Sequence, residues 1–342
     1  MLYTLTNRRW AILVLWSAFI LTGCQKEAPL PSHPLSDFLM EPADLAHLLK
    51  HQSSIRLIEL SKTGEYNAGH LPGALSLWRP DYEGDGHAYE GMRMTPTEMA
   101  ALLGRHGISP GDSIVLYDVK GSADALRLWW MLHMYGHEQA FVLNGGKVAW
   151  TIDGYALDTL AARVPAPVNY QFERAPDLAR LIEKDELIQL LQDTNYVLLD
   201  TREPEEYRGI PYIDKGVCYP YKKGAFTYGR IPGSVHLNWS DAVDLHGDHR
   251  FKSLKDLRYN FEQAGITPEK TIIAYCQSGV RSAHTTFVLT EILGYPNVRN
   301  YDGSWIEWSY YALQDTSLPI ESDVDELEHQ RLLAELNKSL QD

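Results

Sequence analysis

Short apolar runs ending in turn-forming residues alternate along this chain with segments of helical periodicity. Tyr196-Val197-Leu198-Leu199-Asp200 and Thr271-Ile272-Ile273-Ala274-Tyr275 have the length and continuous apolarity of strands buried on both faces. After Cys276-Gln277-Ser278-Gly279 the pattern changes. Ala283, Phe287, Val288 and Ile292 fall on one helical stripe, and Gly294 with Pro296 stops it. Strand, tight loop, helix and strand in that order predict an α/β fold, with ligands at the carboxyl ends of the strands. Charged positions interleaved with Leu327, Leu332, Leu333, Leu336 and Leu340 predict a surface helix near the end of the chain. At the other end, Arg8 and Arg9 precede an apolar run from Trp10 to Leu21. That run is shorter than the roughly 20 residues a spanning helix needs and has the layout of a secretory signal.

The pattern occurs twice. Gly107-Ile-Ser-Pro-Gly-Asp-Ser-Ile-Val-Leu-Tyr-Asp118 aligns with Gly265-Ile-Thr-Pro-Glu-Lys-Thr-Ile-Ile-Ala-Tyr-Cys276, a separation of 158 positions, 276 less 118. The alignment continues without a gap to Trp150 and Trp308. Earlier, Gly69-His70-Leu71-Pro72-Gly73 matches Gly229-Arg230-Ile231-Pro232-Gly233, and Glu65-Tyr66 matches Glu206-Tyr207. The separations there are 160 and 141, so the second copy carries 19 additional residues between Tyr207 and Gly229. Self-similarity over such a length indicates duplication. The expected organisation is a signal segment 1–23, a tether 24–36, a first domain 37–160, a linker 161–177, a second domain 178–318 and a terminal helix within 319–342.

A length of 342 residues suits two domains. The formal net charge of −14 argues against a nucleic-acid partner, which needs a basic face. Three cysteines exclude a disulfide-built scaffold and leave little for a cysteine-based metal site. His236, His246 and His249 lack metal-ligand spacing and read as loop histidines, so no metal and no cofactor are expected.

Cys276 is placed where a strand ends and a helix begins. Free backbone N–H groups and the positive end of the helix dipole converge at such a point. They favour the thiolate, which is the nucleophilic form. Gly279 lets the loop curl around the sulfur, Arg281 supplies a cation suited to an anionic substrate, and Ser278 is a hydrogen-bond donor or a helix cap.

These features together resemble the tandem-domain rhodanese family, the thiosulfate and 3-mercaptopyruvate sulfurtransferases. The resemblance rests on Asp200-Thr201-Arg202 with Glu206-Tyr207, on Gly229 to Gly233, on Cys276-Gln277-Ser278-Gly279-Val280-Arg281, and on Asp302-Gly303-Ser304-Trp305 to Trp308. In the first copy, Arg127 to Met131 and Leu143 to Gly146 also match. It implies two tandem rhodanese-like domains, each a mainly parallel sheet flanked by helices, with one active copy. Asp118 stands at the position of Cys276 and Ser61 at that of Arg202, so the first domain is expected to be silent. Phosphatases of the wider fold group have five residues between cysteine and arginine. This loop has four, which favours a single added sulfur over a tetrahedral oxyanion.

The implied reaction carries sulfane sulfur from thiosulfate through a Cys276 persulfide to cyanide or a thiol, releasing sulfite. Arg202, Arg281, Ser278, Gly279 and Arg208 are the expected substrate-binding residues. The alternatives are 3-mercaptopyruvate as donor, since Arg208 fits that branch, or a non-enzymatic persulfide carrier. Cys218, in the 19-residue insertion, reads as a resolving thiol or as an unreactive one. Finally, Leu21-Thr22-Gly23-Cys24 resembles a bacterial lipoprotein box. This implies acylation of Cys24 and a lipid-anchored place in the cell envelope. Gln25 favours the periplasmic face of the outer membrane.

Overall fold

Two sheets of identical strand order carry the molecule, as the duplication requires. The computed structural model describes residues 33–51, 54–191 and 195–340; Cys24, the signal segment and residues 24–32 of the tether lie outside them. The first sheet contains β1 (Leu39–Met40), β2 (Ile55–Leu60), β3 (Leu75–Leu77), β4 (Ser113–Asp118) and β5 (Ala140–Leu143), in the order β1-β5-β4-β2-β3. The second contains β6 (Leu181–Ile182) and β7 (Tyr196–Asp200), then, beyond an antiparallel hairpin of β8 (Tyr212–Asp214) and β9 (Val217–Tyr219), β10 (Val235–His236), β11 (Thr271–Tyr275) and β12 (Val298–Tyr301). Its order is β6-β12-β11-β7-β10, strand for strand the same. All pairings within both sheets are parallel. After Thr271, central β11 is apolar because both of its faces are covered: Ile272, Ile273, Ala274 and Tyr275 are completely buried.

One hydrophobic cluster runs through both copies, and a second lies within the second domain. Helix Ala123–Tyr135, which follows β4, packs against helix Val280–Phe287, which follows β11, and the Trp129 ring meets Phe287 edge to face at 4.7 Å. Polar contacts tie the same boundary. Arg127 of the first domain pairs with buried Asp302 of the second. Arg250 reaches Glu41 at 2.9 Å and Asp153 at 2.6 Å, and the Tyr89 hydroxyl donates to Glu307 at 2.7 Å.

The insertion between Tyr207 and Gly229 forms the β8–β9 hairpin and a following loop. The chain's last segment holds it in place. Helix Glu326–Ser339, the predicted surface helix, packs on the hairpin. His329 is buried, stacks on Tyr228 at 3.8 Å and bonds the Gly209 carbonyl at 2.9 Å. Arg230 pairs with Glu321 and Asp323 just before that helix. No described helix is long and apolar enough to cross a membrane.

Candidate active site

Cys276 follows β11 directly and is 1% exposed. The loop it opens is held from behind by the start of helix Ser304–Gln314. The backbone N–H groups of Cys276 and Gly279 both donate to Ser304 Oγ at 3.1 Å, and that hydroxyl donates to the Tyr301 carbonyl at 2.8 Å. The Trp305 and Ile306 N–H groups bond the carbonyls of Cys276 and Gln277 at 2.9 and 3.0 Å. With the loop carbonyls turned towards that helix, the free N–H groups at the start of helix Val280–Phe287 lie beside the sulfur. Gly279 has φ +77°, and a Cβ there would sit 2.5 Å from the Arg127 guanidinium, so the position admits only glycine.

The sulfur has a specific hydroxyl partner. Ser282 Oγ lies 3.6 Å from Cys276 Sγ and donates to it. Burial alone pushes the Cys276 thiol up, but the Arg281 guanidinium, the Ser282 N–H and hydroxyl and the Ser278 N–H together hold it below its ordinary value. Ser282 was not among the site residues expected from the sequence. Its signal was its place six residues after the cysteine, on the first turn of the helix.

The charges around the sulfur are largely spoken for. Arg281 forms a two-pronged pair with Glu206 at 2.6 and 2.9 Å. Burial pushes the Glu206 carboxyl up, and Arg281 brings it down to about 2, with Arg202 and Lys222 adding to the effect. Arg202 is placed differently from expectation. It is 1% exposed and donates to Asp200 through three bonds of 2.6 to 3.0 Å, and to the Gly229 carbonyl at 2.8 Å, with Trp305 packed over its guanidinium. These bonds serve the frame, and Arg202 does not line the cleft. Arg208 is also displaced from the expected role. It faces outward, half exposed, on Asp323 and does not line the cleft. Ser278 does line it, against Gly91 of the first domain, where an added Cβ would come within 2.7 Å of the serine Cβ.

The cleft over Cys276 has a volume of about 570 Å³ and takes walls from both domains. The first domain supplies Trp78, Lys120 and an Arg79–Asp124 pair bonded at 2.6 and 3.2 Å, none of which sequence reasoning singled out. The insertion supplies Lys222 and Lys223. Cys218 sits on β9 opposite Ile213 and does not line this cleft, and burial raises its thiol pKa. His236 bonds the Arg202 carbonyl at 2.8 Å. Among the described residues no group of three metal-ligating side chains is assembled.

A rhodanese-like domain is matched twice, over residues 41–153 and 183–310. The chain belongs to the rhodanese family. Its second rhodanese domain holds the cysteine loop, and its first holds an aspartate there. The chain is 36% identical over 246 residues to the sulfur carrier protein TtuD of Thermus thermophilus, covering 71% of this chain and 83% of that one. It is 34% identical over 251 residues to a thiosulfate sulfurtransferase of Corynebacterium glutamicum, covering 71% and 78%. Among solved structures, EanB with a cysteine persulfide and ergothioneine superposes with a TM-score of 0.71 at 25% identity, covering 84% of this rhodanese and 71% of EanB.

The first rhodanese domain shows what fills such a loop when no sulfur is present. The Asp118 carboxylate accepts the N–H groups of Lys120, Ser122, Asp124 and Ala125 at 2.8 to 3.2 Å. These positions correspond to Ser278, Val280, Ser282 and Ala283 at the same separation of 158. Burial and the neighbouring Asp124 carboxylate push Asp118 up to about 6, against the pull of those N–H groups.

Proposed function

We propose that this rhodanese is a thiosulfate sulfurtransferase. The reading is carried by a buried cysteine whose thiolate is favoured, at the floor of a cleft open to small molecules. Thiosulfate sulfurtransferases and a sulfur carrier protein among the relatives support it. In the first half-reaction the Cys276 thiolate attacks the outer sulfur of thiosulfate. The sulfur–sulfur bond of the donor breaks, its electron pair leaves with sulfite, and a persulfide stands on Cys276. The loop N–H groups and Ser282 stabilise the anionic sulfur in both states. In the second half-reaction cyanide or a thiolate attacks the outer sulfur and the Cys276 thiolate leaves, which restores the starting site. A cleft of about 570 Å³ has room for acceptors well beyond cyanide in size. Cys276→Ser should abolish sulfite release from thiosulfate; turnover retained in that variant would remove the nucleophile from Cys276.

We further propose that the protein is held at a membrane. Leu21-Thr22-Gly23-Cys24 supports acylation of Cys24 and a lipid-anchored position in the cell envelope, on the periplasmic face of the outer membrane. Labelling with a fatty-acid analogue tests this, since Cys24→Ala should lose the label and the membrane fraction together. A label retained in that variant refutes it.

A further inference from the structure

The cations that line the cleft divide into those held in ion pairs and those with no ion-pair partner among the described residues. Arg281 is held by Glu206, and Arg79 by Asp124. Arg202 and Arg208, expected at the donor, are committed elsewhere. Lys222 and Lys223 differ. Both line the cleft, Lys222 half-buried and Lys223 exposed, and among the described residues neither has a carboxylate at ion-pair distance. Their backbone is fixed beside the nucleophile. The Gln277 side chain donates to the Lys223 carbonyl at 3.4 Å, the Trp305 indole to the Thr227 carbonyl at 3.0 Å, and the Phe226 N–H to Ser309 Oγ at 3.2 Å. Lys222 also lies over the Tyr212 ring at 5.7 Å, which limits where its ammonium can reach.

A dianionic donor approaching Cys276 brings more negative charge than the paired guanidiniums balance, and so favours cations that have no ion-pair partner. Given the sulfurtransferase reading, we propose that Lys222 and Lys223 form the anion subsite for the donor. The insertion then provides donor recognition, while the cysteine loop provides the chemistry. Lys120, the other unpaired cation on the cleft wall, belongs to the first domain and is not part of this subsite.

The test combines binding with turnover. Thiosulfate is titrated calorimetrically into Cys276→Ser and into the same protein carrying Lys222→Met and Lys223→Met. The double replacement should weaken binding about tenfold or more and flatten its dependence on salt. In the enzyme with Cys276 intact, kcat/KM for thiosulfate should fall by a similar factor. It should fall less for 3-mercaptopyruvate, a monoanion, and recover with Lys222→Arg and Lys223→Arg. Alkylation of Cys276 by neutral iodoacetamide should stay within about twofold, since the loop itself is unaltered. Equal thiosulfate binding with and without the lysines overturns the assignment, and so does a parallel tenfold loss of alkylation, which would mean a disturbed loop. Lysine-dependent binding in a protein that releases no sulfite supports the subsite and counts against the sulfurtransferase reading instead.

Discussion

Replacing Ser282 by alanine isolates one contribution to the reactivity of Cys276. The hydroxyl donates to the sulfur across 3.6 Å inside a buried loop, and no other side-chain hydroxyl bonds that sulfur among the described residues. Hydrogen bonds to charged groups contribute roughly 1.5–3 kcal/mol. A long bond to a diffuse sulfur anion belongs at the lower end, and about 1.4 kcal/mol corresponds to a factor of ten between thiolate and thiol. Ser282→Ala should therefore lower the thiolate fraction by up to about tenfold, reached at pH values well below the pKa. The sign is clear: the bond favours the anion, so losing it moves the titration of Cys276 towards higher pH. Iodoacetamide alkylation measured across pH reads this directly. The expected result is an upward-shifted midpoint with an unchanged plateau at high pH, and Ser282→Thr should resemble the parent. Sulfite release should fall on the acid side of the parent's midpoint and recover as the pH rises. An unmoved alkylation midpoint in a folded Ser282→Ala protein would refute the reasoning, leaving the loop N–H groups and Arg281 as the only stabilisers.

Two further outcomes follow from buried charge. Arg127→Ala leaves Asp302, which is fully buried, without its main partner, and should cost about 3–5 kcal/mol in denaturant unfolding; a loss below about 1 kcal/mol would contradict a tight pair. His284 lies between Phe251 and Trp239 on the helix that follows the cysteine loop, and burial brings its pKa down to about 3. Below about pH 6.5 the unfolded chain takes up a proton that the folded chain refuses, so stability falls as the pH drops from there towards 3. His133 and His137, held near 4 by burial, act in the same direction. Tm should fall on acidification from about pH 7 to about pH 4.5, and less so in His284→Phe. Equal losses in both proteins would clear His284 of the effect.

The features legible in the sequence were those written in neighbouring residues or repeated along the chain. Strands β7 and β11 announce themselves because a strand covered on both faces has no polar position to spare. The loop at Cys276 announces itself because strand, glycine and helix stripe follow one another directly. What was not legible is who neutralises whom. Arg281 meets Glu206 across 75 positions and Arg127 meets Asp302 across 175, and neither spacing carries any periodic signal. The Asp200–Arg202 pair is only two residues apart, yet its local partner sends the guanidinium inward, away from the substrate side. Arg202 and Arg208 were thus identified by type and lie away from the cleft, whereas Arg281 lines it. The lysines of the insertion carry no local signal of their role, because their lack of ion-pair partners among the described residues exists in three dimensions alone.

The carboxylate of Asp118 makes one half of this molecule indifferent to the other's chemistry. In each reaction cycle the loop around Cys276 must hold a bare sulfur, then a longer sulfur chain, then a bare sulfur again, and its N–H groups change partner each time. The matching groups around Asp118 keep the same anion throughout. The helix that starts there therefore has no reason to shift, and it is the helix against which Val280–Phe287 packs. The change of length and charge at the sulfur is therefore borne by the second domain's loop, opposite a first-domain helix whose start is already capped by a built-in anion.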